Sequence, residues 1–175
     1  MTSVACQLYL RTPCSIAAAF SLACIGAAPS AHAQPAGFPD LDAFTEAPAS
    51  LHFSRPEKAA DGYAFFRTPD GLSCMLGSVN RCSGPLPGLP ADNYGDCAVV
   101  VQTYEEASRS EPFRFEKSTE GCPPPTDEML NVGQKLTFTT NYTTTCVVGQ
   151  GRLTACIDSQ NDHGFVLQPS GSWVF

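Results

Sequence analysis

The sequence is poor in charge and poorest in positive charge. Only 15% of its 175 residues are charged, with ten Lys and Arg against seventeen Asp and Glu and a net charge of −7. The basic residues are scattered, so nothing offers a cationic face to phosphate backbones or anionic lipid, and nucleic acid is not an expected partner. There is no C-x-x-C in the chain, which removes both a zinc site of closely spaced ligand pairs and a thioredoxin-like dithiol. "GLSCMLG" offers Ser73 but lacks the second glycine of a nucleophile elbow, and "GQGRL" is too short to cradle phosphate. Beyond the first thirty-odd residues no apolar run is long enough to cross a bilayer as a helix of roughly 20 residues.

The beginning of the chain carries a different signal. Arg11 precedes "SIAAAFSLACIGAA", an uncharged apolar run that ends in "PSAHAQ". The run from Ile16 to Ala28 is too short for a transmembrane helix, and Ala31-His32-Ala33 supplies small residues for a signal peptidase. Residues 1–33 are therefore expected to be a secretory signal peptide, with Gln34 the first residue of the mature chain. Lipidation at Cys24 is the rival reading, weakened because Leu22 lies one place too close to the cysteine for a good lipobox. Arg11 is the only charged residue lost, so the mature charge is −8.

Cleavage also removes Cys6, Cys14 and Cys24, and leaves Cys74, Cys82, Cys97, Cys122, Cys146 and Cys156. An even number of cysteines in an exported chain reads as disulfides. In "TTTCVVGQGRLTACID" two strand-like runs flank Gly149-Gln150-Gly151, so Cys146 and Cys156 can face each other across a hairpin, where opposed Cα atoms stand about 4.5 Å apart. The same geometry joins Cys74 to Cys82 about a turn near Gly77 to Asn80. Cys97 and Cys122 pair by elimination.

Residues 34–61 are rich in Ala, Pro and small polar residues and are expected to form a loosely attached, irregular arm, with one short helix at "PDLDAFTEA" capped by Asp40. Residues 62–175 form the body. There "YAFFRT", "SCML", "CAVVVQTY", "PFRFEK", "KLTFTTNY", "TTTCVV", "RLTACID" and "GFVLQ" recur between turn signals, filled with Val, Thr, Phe and Tyr. Such runs predict an all-β domain, a small antiparallel sandwich or barrel stapled by disulfides. "PTDEMLNVG" suggests a single helical turn capped by Thr126. "GPLPGLP" (84–90) reads as an exposed stiff loop, because proline lacks the amide that a central strand donates. It is chiefly a connector, and Pro85, Leu86, Pro87 and Leu89 are its binding candidates.

Candidates for catalysis are few. After cleavage the histidines are His52 and His163, and His163 sits in "DSQNDHGF" beside Asp158 and Asp162. A base next to a carboxylate can activate a hydroxyl. Asp, Asn and Gly also cluster wherever a tight turn needs residues tolerant of positive φ, and that is the reading adopted. The oxygen ligands of this stretch do not alternate as a calcium loop requires. The pairs Glu105-Glu106 and Asp127-Glu128 read as solvated surface, Asn141-Tyr142-Thr143 fits a glycosylation sequon, and Trp173 with Phe165 and Val174 reads as an edge of the core.

Several stretches together resemble a known group. "YAFFRTPDGLSCML", "RCSGPLPGLP", "GQKLTF" and "CIDSQNDHGFVLQPSGSWVF" are similar to small secreted proteins of mycobacteria and related actinobacteria, over roughly Tyr63 to Phe175. These are proteins of unknown function. The resemblance implies export, disulfides and a β-rich fold, and it transfers no catalytic residue. The expectation is a secreted or envelope-associated domain without enzymatic activity, cofactor or metal, acting by binding or by structural presence outside the membrane; its partner is not identified by the sequence, and an extracellular or cell-envelope protein is the candidate. A small hydrolase using His163 with Asp158 or Asp162, and an inhibitor or ligand-binding module presenting residues 84–90, are the alternatives.

Overall fold

A computed structural model describes residues 34–53, 62–106 and 109–175. The expected leader with Cys24, and residues 54–61 of the arm, lie outside the described residues.

The strands are β1 (Thr45–Glu46), β2 (Ala64–Arg67), β3 (Ser73–Leu76), β4 (Val79–Gly84), β5 (Ala98–Glu106), β6 (Arg109–Ser110), β7 (Arg114–Lys117), β8 (Gln134–Thr139), β9 (Thr143–Gly149), β10 (Leu153–Asp158), β11 (His163–Leu167) and β12 (Trp173–Val174). The first sheet runs β1-β8-β9-β10-β11-β12. The second runs β2-β3-β4-β5-β6, with β7 also pairing β5. Every pairing between these strands is antiparallel except β1 with β8. The chain is an all-β sandwich, as its alternating Val, Thr and aromatic runs predict.

Alternation explains the core. Along β4 every second residue is buried, so Asn80 and Cys82 point inward while Arg81 and Ser83 point out. Phe66, Leu76 and Val100 of the second sheet meet Leu136, Val148 and Leu167 of the first in one cluster, and the Phe113 ring sets its edge on Phe165 at 5.1 Å. The first sheet is buried on its other face too. Val147, Ala155, Ile157 and Val166 are covered there by Phe38, Leu41 and Phe44 from the N-terminal side and by Trp173 and Phe175 from the C-terminal side.

That cover changes the reading of the arm. Residues 34–53 are irregular, as expected, but they are not loosely attached. Asp40 accepts from the Asp42 amide at the start of a 3-10 turn, Leu41–Ala43. The Thr45 and Ala47 amides then donate to Gly133 and Lys135, and the buried His52 carbonyl accepts from the Phe65 amide. Apolar side chains at Phe38, Leu41 and Phe44 were the signal for this docking.

Two further expectations give way. No helix forms at Thr126: the Arg67 amide donates to Glu128, the Leu130 amide to Arg67, and Met129 bridges Arg67 in parallel. The exposed edge of β2 claims these backbone groups before a helical turn can. The one α-helical turn among the described residues is instead Ala91–Tyr94, opening after Pro90. No helix among the described residues is long and apolar enough to cross a membrane.

Candidate functional site

All six cysteines of the body are paired, in the predicted connectivity. Cys74 stands opposite Cys82 and Cys146 opposite Cys156 in their hairpin registers, with Cα separations of 4.1 and 4.0 Å. Cys97 joins Cys122 at 5.5 Å. The two hairpin bridges are buried between the sheets. The third is half-buried and ties the start of β5 to the loop that follows β7.

The 84–90 loop is not an exposed binding edge. Leu86 and Pro87 are buried, and Leu89 packs against the core. Among the four candidates Pro85 alone is exposed. The loop lies over 168–172, where Ser172 donates to the Pro87 carbonyl, while Arg152 donates to the Pro85 carbonyl at 3.3 Å. Two leucines between prolines gain more by facing the core than by facing water, and the prolines leave no amide unsatisfied there.

His163 and Asp158 face each other across the β10–β11 hairpin. Asp158 is fully buried. One carboxylate oxygen accepts from the Gln160 amide at 3.1 Å and the other from the Asn161 side chain at 2.8 Å, so the carboxylate holds the turn closed. Asp162 is exposed and has φ +55°, the left-handed position that Asn, Asp and Gly tolerate. The geometry is that of a turn.

A different place on the molecule has the shape of a binding site. On the outer face of the second sheet, Phe65, Ser73, Met75, Arg81 and Ser83 form a floor. Ser118, Glu120, Gly121 and Pro123 to Thr126 form a wall, and the groove between them holds about 630 Å³, within the roughly 300–1,000 Å³ common for small-molecule sites. The wall is fixed at both ends. At one end the Ser118 amide donates to the Cys97 carbonyl and Cys122 is bonded to Cys97. At the other the Arg67 guanidinium donates to the Asp127 carbonyl at 2.8 Å. Three consecutive prolines with preset φ stiffen the stretch between.

Arg81 is the notable group on this floor. It is half-buried, and among the described residues it has neither an ion pair nor a side-chain hydrogen bond. Arg114, by contrast, pairs with Glu111 and Glu116 at 3.4 and 2.6 Å, Arg152 lies 3.7 Å from Asp70, and Lys135 donates to the Leu41 carbonyl at 2.9 Å. Of these groove residues the sequence singled out Ser73 and Thr126, for other roles, and none as part of a binding site. The visible trace was the polar alternation of β3 and β4 together with "CPPP". No family model, curated protein or solved structure matches this chain.

Proposed function

We propose that this chain is an exported, disulfide-stapled domain that works outside the membrane by binding a ligand in the groove between the outer face of its second sheet and the proline wall, without catalysing a reaction. The observation that carries the reading is the groove itself: a preformed concavity whose wall is anchored by a disulfide at one end and an arginine at the other. A stiff wall lowers the cost of ordering the site on binding. Three disulfides support an oxidising, extracellular location, and the apolar run before Gln34 is the sequence feature expected of an exported chain. Commitment of the Asp158 carboxylate to its own turn speaks against a hydrolase built on His163.

Amide chemical-shift mapping with a panel of neutral and acidic oligosaccharides and short peptides tests the proposal. Ligand-induced shifts should gather on Ser73, Arg81, Ser83 and residues 118–126, and the groove-filling Ser83→Trp should abolish them in a folded protein. Shifts that gather elsewhere, or hydrolysis of an ester, peptide or glycan substrate that disappears in His163→Ala, would overturn it.

A further inference from the structure

Granting the groove as the binding site, its lining narrows the class of ligand. Arg81, a half-buried residue that lines the groove, has neither an ion pair nor a side-chain hydrogen bond among the described residues, so its guanidinium makes no polar contact that holds the fold. Arg67, Arg114, Arg152 and Lys135 each have an acceptor, whereas Arg81 on the groove floor has none among the described residues and offers a planar fork suited to a carboxylate.

The rest of the lining says what carries that carboxylate. The floor is mid-sheet: β3 is paired on both sides, to β2 and β4, and β4 to β3 and β5. Its backbone groups are committed, so a peptide cannot add there as a further strand. Recognition falls to side chains, and Ser73, Ser83 and Ser118 supply hydroxyls that both donate and accept. Met75 and the prolines supply apolar surface for the C–H face of a ring, above a buried Phe65. Glu120, exposed on the wall, accepts from hydroxyls and repels a second carboxylate, as does the net charge of −7.

We propose that the groove takes a sparsely acidic saccharide, a sugar chain in which one carboxylate pairs with Arg81 while its hydroxyls meet the serines and Glu120.

The test uses a tetrasaccharide alternating glucuronate with a neutral sugar, the same tetrasaccharide with its carboxyls reduced to alcohols, and a peptide alternating Glu and Ser. Affinities are measured by titration against the wild-type protein, Arg81→Gln and Arg114→Gln. The acidic sugar should bind the wild type about 10- to 100-fold more tightly than its reduced form, the range a hydrogen bond to a charged group supplies. Arg81→Gln should lose that factor for the acidic sugar alone, and Arg114→Gln should lose none of it. Because the Arg81 side chain has no partner in the fold, Arg81→Gln should keep the wild-type Tm. Equal binding of the two sugars, or full affinity in Arg81→Gln, overturns the proposal. Tighter binding of the peptide in the groove also overturns it and leaves the groove as the binding site. Should none of the probes shift a groove amide while another ligand shifts a different face, the groove itself falls with it.

Discussion

Gly88 leaves no space for a side chain. A Cβ there would stand 2.2 Å from the Gln168 carbonyl oxygen and 2.9 Å from the Gly171 Cα, at a φ of +69°. Gly88→Ala should therefore cost about 2–3 kcal/mol, from backbone strain and displacement of the 168–171 turn, read by denaturant titration. Asn80 is the counterpart in the interior. Its amide nitrogen donates to Gln102 and to Thr144, both at 2.9 Å, and its oxygen accepts from the Gly77 amide at 3.1 Å. One side chain thus closes the β3–β4 turn and links the two sheets through β9. Asn80→Ala should lose about 1–3 kcal/mol, because buried polar groups are left without this partner. Asp158→Ala should lower stability by about 1–2 kcal/mol through the same kind of loss at the β10–β11 turn.

Among the elements, the disulfides divide by task. The hairpin bridges close short segments, with separations of 8 and 10 residues, while Cys97–Cys122 spans 25. Replacing Cys146 and Cys156 together by alanine should cost about 2–4 kcal/mol. Replacing Cys97 and Cys122 by serine should do something further: it frees one end of the groove wall, so ligand affinity should fall at least tenfold in a protein whose hairpins remain folded, by calorimetric titration beside a thermal melt. The hairpin bridges were legible in the sequence because their register is local, and "SCML" names the residues of β3. Elements settled by remote partners were less legible. The inward turn of Leu86 and Leu89 depends on 168–172, and the extended course of Asp127 to Leu130 depends on the edge of β2. The groove is the extreme case. The outward polarity of Ser73, Arg81 and Ser83 can be read from alternation, but the wall above them comes from a loop anchored to the start of β5 at one end and to β2 at the other.

In the molecule as a whole, the first sheet needs cover on both faces, and the N-terminal segment supplies half of the outer cover. Phe38 is only 8% exposed and meets Phe175 edge to face at 5.9 Å. Phe38→Ala should destabilise by about 2–4 kcal/mol, and removal of residues 34–44 should expose the Val147 and Ile157 face to a hydrophobic dye. The same sheet carries one of the three bridges, so sandwich, groove and stability alike depend on folding where thiols are oxidised. The measurement that bears most directly on this account is the intact mass of the protein released by an exporting host, with and without reduction before alkylation. The account predicts a mass beginning at Gln34 and six alkylated cysteines that appear only after reduction. Cysteines alkylated without reduction, lipid on Cys24, or a chain retained inside the cell would contradict it.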